Sequence, residues 1–250
     1  MKNSNKILLG IIVFLIAAGL YAIFTLKSGI NKAQEEAIKG NSQVKKELRT
    51  LANFDAIHVS GQFNIILKKG EQKVEIEADE NILSYLITEV NNGELDLREK
   101  EDQVLDFTVE PTVYISMEEL SSLIMSGVSD VTMQDSFYTE NANFSISGAS
   151  NSTFYMGCEK LKINVSGVGE VFLKGSAQSV DMGISGSGAL HGEKFKCEDA
   201  YVRVSGTGEA SIYVSNDLDA GVSGTGAIYY YGNPASKITN ISGVGEIIGR

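Results

Sequence analysis

The sequence predicts an all-β protein: a β-solenoid of about 19–20-residue repeats, with a small β-rich N-terminal head and one preceding transmembrane helix. Three observations predict this fold class. Ser-Gly dipeptides recur at near-constant spacing in the second half of the chain, apolar and polar residues alternate around them, and 20 consecutive uncharged residues lie near the N-terminus. The chain also has 26 Gly against 2 Pro, which suits many tight turns within a regular β structure.

The uncharged segment, residues 7–26, can cross a membrane as a helix, because 20 residues at ~1.5 Å each span ~30 Å. Lys2 and Lys6 precede it, which favours a cytoplasmic location for residues 1–6. We therefore expect a signal-anchor that spans the inner (cytoplasmic) membrane once, with the C-terminal domain in the periplasm or on the cell surface. A cleaved signal peptide is the alternative, although Leu20-Tyr21-Ala22 is a poor cleavage site.

Residues 27–52 are polar and helix-prone, and they predict a helical membrane-proximal stalk. Between residues 53 and 111, apolar and polar residues alternate on both sides of Ser60-Gly61, which predicts half-buried antiparallel strands. Residues 80–90 have apolar side chains at helical spacing and predict one short helix. We interpret residues 53–111 as a β-rich head that covers the first repeat of a solenoid over residues 112–250.

Seven Ser-Gly dipeptides begin at residues 126, 147, 166, 185, 205, 223 and 242, with spacings of 21, 19, 19, 20, 18 and 19. The residue before each serine is apolar: Met125, Ile146, Val165, Ile184, Val204, Val222 and Ile241. If equivalent residues stack at ~4.8 Å, they form a continuous dry column. The last five turns read Ser-Gly-x-Gly, and we expect their glycines to need positive φ and to leave no room for a side chain. These structural glycines are Gly167, Gly169, Gly186, Gly188, Gly206, Gly208, Gly224, Gly226, Gly243 and Gly245.

Acidic residues stand after the turn in every other repeat: Asp130, Glu170, Glu209 and Glu246. If one repeat forms one rung, these carboxylates lie two rungs apart, at ~9.6 Å, and avoid direct repulsion. If a rung is a double repeat of ~39 residues, they stack directly. Cys158 and Cys197 distinguish the two, because a disulfide needs Cα atoms within ~7 Å and only the double repeat makes these cysteines neighbours. We prefer the single repeat with two free thiols.

Several motifs together are typical of one known family. The head opens with Phe54-Asp55-x-Ile57-x-Val59-Ser60-Gly61-x-x-Asn64-Ile65, and the Ser-Gly-x-Gly turns lead to Tyr229-Tyr230-Tyr231-Gly232-Asn233-Pro234. Over about residues 53–249 the chain resembles the bacterial putative auto-transporter adhesin, head GIN domain family. The resemblance implies a right-handed parallel β-helix, a location in the cell envelope outside the cytoplasm, and a role in adhesion. It implies no catalytic or ligand-binding residues.

Aromatic residues six and eight positions after the repeat serines predict an outward binding face: Tyr155, Phe172, Tyr213, Tyr229 and Tyr231. Such rings can stack on sugars or anchor a protein partner, while a role as good strand formers is the alternative. The two histidines have no Cys or second His at metal-ligand spacing. We therefore assign no catalytic residue, metal ligand or cofactor, and we interpret the alternating carboxylates as solvated charges rather than a calcium cage.

All 32 acidic residues and 19 of the 21 basic ones follow residue 26, which leaves 13 excess negative charges and disfavours a nucleic-acid partner. The first functional hypothesis is a membrane-anchored, non-catalytic module with a binding, adhesion or structural role. Its expected partners are the membrane, through the N-terminal helix, and a glycan or an envelope protein. Self-association at the C-terminal end, where residues 247–250 lack a polar cap, is a further expectation. The second hypothesis is a polysaccharide-active lyase or hydrolase, which needs clustered carboxylates that we do not find on one rung.

Overall fold

The computed structural model describes residues 37–250. The predicted cytoplasmic N-terminus (residues 1–6), the predicted membrane helix (7–26) and the first part of the predicted stalk lie outside the described residues. Within the described part, no helix is both long enough and apolar enough to span a bilayer.

The described chain is almost entirely β structure, as the sequence predicts, with one short 3₁₀ helix, η1 (Leu83–Tyr85). The first eight strands are β1 (Ile38–Lys39), β2 (Val44–Arg49), β3 (Ala56–Lys69), β4 (Lys73–Asp79), β5 (Leu86–Asn91), β6 (Glu94–Glu99), β7 (Leu105–Asp106) and β8 (Thr112–Met117). The remaining strands are β9 (Ser122–Met133), β10 (Phe137–Gly186), β11 (Ala189–Gly206), β12 (Glu209–Gly224), β13 (Ala227–Tyr231), β14 (Ser236–Gly243) and β15 (Glu246–Gly249).

Thirteen of these strands form one sheet, in the order β15-β13-β12-β11-β10-β9-β3-β8-β4-β2, with β14 on β12 and β6 between β3 and β5. The Ser-Gly segments within it pair in parallel. Ser185 of β10 is the register partner of Ser205 of β11, which is in turn the partner of Ser223 of β12. The number of residues between successive Ser-Gly dipeptides therefore equals the difference in residue number between register partners on neighbouring strands.

The prediction of a parallel β-helix is wrong as a description of this fold, because the sheet is mixed. Strand β4 pairs in antiparallel fashion with β2 and β8, and β5 pairs with β6 in the same way. Asn92 and Gly93 connect β5 to β6 with positive φ at both residues, +53° and +81°. That pattern is the two-residue hairpin turn in which Asn-Gly is favoured, and it reverses the chain where a parallel fold would have continued it.

The predicted head also differs from expectation, because β3 extends the parallel ladder. Residues 56–67 of β3 pair in register with residues 122–133 of β9, and Gly61 lies opposite Gly127. Ser60-Gly61 thus behaves as one more copy of the repeated dipeptide. Strands β6 and β8 pair in parallel with the two halves of β3 and continue the sheet on its other side.

Two predictions of helix are corrected by the strands. Within the predicted helical stalk, residues 44–49 form strand β2 instead of a helix. This strand pairs with β4, and Lys46 lies opposite Glu77. Of residues 80–90, only the three of η1 are helical, and β5 begins at Leu86. Sheet pairing overrides local helix propensity in both places.

The side chains of the predicted apolar columns point into a dry core. Val165, Ile184 and Val204 are 4%, 2% and 1% exposed, and Ile184 and Val204 are register partners. Phe144 and Phe154 pack in the same core with ring centroids 5.1 Å apart. The same register therefore fixes the outward positions between these columns, which form the surface of the sheet.

Candidate functional site

A groove of about 860 Å³ runs across the strands of the parallel ladder. Its floor is one column of buried small or branched apolar side chains: Ala142, Leu161, Val180, Ala200 and Leu218. Val180, Ala200 and Leu218 are successive register partners. Because neighbouring strands lie ~4.8 Å apart, the groove extends ~24 Å over its six segments.

Two rows of mostly polar side chains border the floor, since the residues before and after an inward-facing residue point outward. The first row is Asn141, Lys160, Ser179, Asp199, Asp217 and Ser236. The second row is Asn143, Lys162, Asp181, Tyr201, Asp219 and Ile238. Amides and lysines therefore line one end of the groove, and carboxylates line the other.

At the acidic end, Arg203 fixes part of the second row. Its guanidinium lies 3.6 Å from the centroid of the Tyr201 ring and donates a 2.9 Å hydrogen bond to a carboxylate oxygen of Asp219. Gly221, the register partner of Arg203, leaves room for this arrangement, because a Cβ there would lie 2.9 Å from the Arg203 Cδ. Tyr201 remains 46% exposed and gives the groove one accessible aromatic ring.

The first row holds a pair of directly opposed carboxylates at the same end. Asp199 and Asp217 are register partners, and such like charges would destabilise the pair without compensation. The Asn216 side-chain amide donates to both, at 2.8 Å and 3.4 Å, and the Asp217 backbone N–H donates to Asp199 at 3.3 Å. Both carboxylates are thus held as hydrogen-bond acceptors.

The groove is not among the features that the sequence predicts. The rim positions vary in chemistry from repeat to repeat, so no column of like residues marks them. The sequence signal for it is the inward apolar column, in which the small residues Ala142 and Ala200 stand among larger side chains.

The predicted aromatic face is a different surface, and the structure places its five residues in two adjacent outward columns. Phe172 and His191 are register partners in one column, which continues through Ser211 to Tyr229. The other column contains Tyr155, Tyr213 and Tyr231, of which Tyr213 and Tyr231 are register partners. Phe172 is the most accessible of the five, at 38%.

Most of these ring faces are already occupied within the chain. The Phe172 ring stacks on that of His191, with centroids 4.8 Å apart and an interplanar angle of 18°. Cationic side chains lie over three others: Lys174 over Tyr155, Lys196 over Tyr213 and Arg250 over Tyr229, at 5.0, 5.7 and 4.1 Å from the ring centroids. The face therefore offers ring edges and positive charges to a ligand more than it offers flat aromatic platforms.

The turn glycines divide into two kinds. The first glycine of each turn has positive φ, as expected, with Gly186 at +115° and Gly206 at +107°. The second glycine does so only in Gly169, and the prediction of positive φ is wrong for Gly188, Gly208, Gly226 and Gly245. The physical reason at Gly226 is close approach: a Cβ would lie 2.5 Å from the Gly208 carbonyl oxygen and 2.6 Å from a Val204 methyl.

The alternating acidic residues lie two strands apart, as the single-repeat interpretation predicts. Glu170, Ala189, Glu209, Ala227 and Glu246 are successive register partners. Asp130 accepts a 2.6 Å hydrogen bond from the backbone of Asn151, whose side chain in turn accepts one from Glu170. Among the described residues, no group of three or more His, Cys, Asp or Glu side chains is arranged to hold a metal ion.

Both cysteines are free thiols, and the register explains why. Cys197 pairs with Ala177 of β10, and Cys158 belongs to the preceding segment of that strand. Burial raises the pKa of Cys158 to about 11. Burial and the nearby Asp199 carboxylate raise the pKa of Cys197 to about 12. These thiols are therefore poor nucleophiles near neutral pH.

Comparison with known proteins places this architecture in a family. Residues 53–234 match the family described as "putative auto-transporter adhesin, head GIN domain". No curated protein matches the chain.

Several solved structures have the same fold as this chain. A putative adhesin from Bacteroides fragilis NCTC 9343 aligns with a TM-score of 0.81 at 22% identity, covering 86% of this chain and all of that one. A putative lipid binding protein from Parabacteroides distasonis ATCC 8503 aligns with a TM-score of 0.71 at 21% identity, covering 86% of this chain and 99% of that one. A putative adhesin from the same strain gives 0.71 and 21%, covering 86% and 100%. At these identities the likeness to solved structures shows a shared fold. Because the family match covers most of the length of the chain, the chain belongs to the putative auto-transporter adhesin, head GIN domain family.

Proposed function

We propose that the protein is a non-catalytic binding module of the cell envelope that holds a linear glycan in the groove. The observation that carries the proposal is the groove itself, with its buried apolar floor and its two polar rows. Its volume of about 860 Å³ lies within the range of ligand sites in proteins.

The shape of the groove favours an extended ligand. A length of ~24 Å at ~4.8 Å per strand suits a chain whose chemical groups recur along its axis. The rows offer amide, hydroxyl, ammonium and carboxylate groups, which pair with the hydroxyls of sugars. Tyr201, at 46% exposure, adds a ring against which one sugar can pack.

The finer location is part of the same proposal. Residues 7–26 would attach the protein to the inner membrane, and the groove would lie outside the cytoplasm. The 20 uncharged residues and the lysines before them support this arrangement. Membership of an adhesin family is consistent with a surface role.

A glycan array probed with the full-length chain in non-ionic detergent tests the binding. Ser179→Tyr and Ser236→Tyr narrow the groove without removing a charge, and we expect at least a tenfold loss of affinity for any glycan that binds. Ser136→Tyr, in the exposed bend between β9 and β10, is the matched control and should leave affinity within twofold. Equal binding by all variants would place the glycan elsewhere and contradict the groove as its site.

The second candidate function is a polysaccharide-active enzyme, favoured by the opposed carboxylates of Asp199 and Asp217 within the same groove. Glycoside hydrolysis needs one carboxyl group that donates a proton and one that accepts or attacks. Here the Asn216 amide donates to both side chains, and the Asp217 backbone N–H donates to Asp199, which favours two acceptors and therefore binding. Release of reducing ends from a bound glycan, lost in Asp199→Asn, would overturn the non-catalytic proposal.

A further inference from the structure

Three lysines lie together on the outward face that carries the predicted aromatic residues. Lys174 of β10 and Lys194 of β11 are register partners, and Lys196 lies two residues further along β11. None of the three lines the groove. Because paired strands are ~4.8 Å apart, the three lysines project from one small area of the sheet.

The three ammonium groups have no carboxylate partner among the described residues. Elsewhere on the molecule Lys45, Lys46 and Lys73 each form an ion pair at 2.9–3.1 Å. Of the nearby acidic groups, Glu193 accepts a hydrogen bond from the Ser211 hydroxyl at 3.0 Å, and Glu198 lines a cavity with Lys196 without an ion pair. Opposed like charges destabilise a sheet, and Glu193, which lies close enough to Lys194 to interact with it electrostatically, offsets only part of this charge. An anionic ligand would offset the rest.

Two tyrosines restrict where the ammonium groups can lie. Lys174 Nζ is 3.3 Å from the Tyr155 hydroxyl oxygen and 5.0 Å from the centroid of its ring. Lys196 Nζ is 5.7 Å from the Tyr213 ring centroid. Such cation–π contacts hold the lysine side chains in place before a ligand binds. Less side-chain conformational entropy is then lost on binding, which favours association.

The cluster coincides with an irregularity of the repeat. The register of β10 on β11 shifts between Phe172 and Lys174, and that of β11 on β12 shifts between Gly192 and Lys196. The repeat from Ser185 to Ser205 has 20 residues and the next has 18, so extra residues in β11 carry Lys194. Bulges of this kind redirect side chains and are enriched next to functional sites, and insertions in repeats map to binding faces.

We propose that Lys174, Lys194 and Lys196 form a second binding site, for an acidic polysaccharide that carries carboxylate or sulfate groups. A thin, flexible glycan can contact these side chains alone. A flat anionic membrane or a nucleic-acid duplex would also face the surrounding acidic surface of a body with 13 excess negative charges. The cluster thus selects a narrow polyanion.

The test measures binding of fluorescent polygalacturonate to the full-length chain in non-ionic detergent by fluorescence anisotropy, at low and at high salt. The test variant replaces Lys174, Lys194 and Lys196 with Gln. The matched control replaces Lys68, Lys69 and Lys100 with Gln, because these also lack ion pairs within residues 37–250 and two of them lie over tyrosine rings, at 5.4 and 5.9 Å. A third variant, Lys160→Gln with Lys162→Gln, removes the lysines of the groove.

We expect salt-sensitive binding that falls at least tenfold in the test variant and less than twofold in the other two. The proposal is overturned if polygalacturonate does not bind, if neutral dextran binds as well, or if the control or groove variant loses as much affinity. It is equally overturned if anionic phospholipid in mixed micelles or single-stranded DNA binds the lysine cluster more tightly than polygalacturonate. Each measurement is independent of whether the groove binds a glycan.

Discussion

Gly186 lies directly against the carbonyl group of Gly167 on the neighbouring segment, and a Cβ on Gly186 would be 2.7 Å from the Gly167 oxygen. The same oxygen accepts a 3.0 Å hydrogen bond from the Ser187 backbone N–H. Gly186 also has φ of +115°, which L side chains rarely adopt. The turn thus fixes the distance between strands through contact of backbone with backbone.

Gly186→Ala should therefore destabilise the protein by at least about 2 kcal/mol, since it combines an unfavourable φ with a clash against backbone. Urea denaturation followed by circular dichroism measures the change. Gly188→Ala in the same turn is the control, because Gly188 lacks positive φ and a Cβ there would first meet a Val165 methyl at 3.2 Å. Equal losses for both substitutions would contradict the distinction between the two glycines.

A buried carboxylate joins three segments at the N-terminal end of the sheet. Asp79 at the end of β4 is fully buried and accepts hydrogen bonds from the backbone N–H groups of Ser42 and Thr108, at 2.8 and 2.9 Å, and from the Thr108 hydroxyl. Burial opposes ionisation of Asp79, but these hydrogen bonds outweigh it and lower its pKa. We expect Asp79→Asn to cost about 2–3 kcal/mol at pH 7, because an amide leaves buried donors unsatisfied.

The pH dependence of this substitution follows from the direction of the pKa shift. A carboxyl group whose pKa is lower in the folded state stabilises the fold above its unfolded pKa of ~3.9, and that stabilisation is lost as the pH falls further. The difference in free energy of unfolding between wild type and Asp79→Asn should shrink between pH 5 and pH 2.5. A difference that stays constant over this interval would show that the Asp79 charge is not what stabilises the contact.

The inward columns could be predicted from the sequence, because burial selects apolar residues at every copy, as Val165, Ile184 and Val204 illustrate. Antiparallel strands were likewise predicted for residues 53–111, but their partners could not be, since pairing depends on how distant segments such as β2, β4 and β8 meet. A local signal for one antiparallel pair is present in Asn92-Gly93, because Asn-Gly is favoured in two-residue hairpin turns.

The candidate sites were less accessible to sequence reasoning than the core. The aromatic columns were predicted, but the cations that cover their rings were not, because Lys174 lies over Tyr155 from the next segment, 19 residues away. The groove depends on which side chains flank a buried column, and these differ between copies. The lysine cluster had a sequence signal in the 20- and 18-residue spacings, which mark extra residues in β11.

The two cysteines give a prediction about reactivity. Because burial raises their pKa values to about 11 and about 12, both thiols are protonated at pH 8, and Cys197 is only 3% exposed. We expect iodoacetamide to modify Cys158 slowly and Cys197 more slowly still in the native chain, and both rapidly in 8 M urea. Peptide mass spectrometry over a time course measures the rates. Rapid native labelling of Cys197 would contradict its burial, and a native Cys158–Cys197 disulfide would contradict the register.

The self-association expected at the C-terminal end should be limited by one residue. Lys237 of β14 is the register partner of Leu218, so a charged side chain stands where the preceding segments have Val180, Ala200 and Leu218 in the core. Its ammonium group lies 2.9 Å from the Tyr230 hydroxyl oxygen, and inward-pointing charges on an edge strand discourage pairing with another chain. Lys237→Leu should raise the association constant at least tenfold, measured by light scattering over a range of concentrations. Lys237→Gln, which keeps a polar group at the edge, is the control and should associate no more than about threefold above wild type. If Lys237→Leu scatters like wild type throughout, Lys237 does not protect this edge.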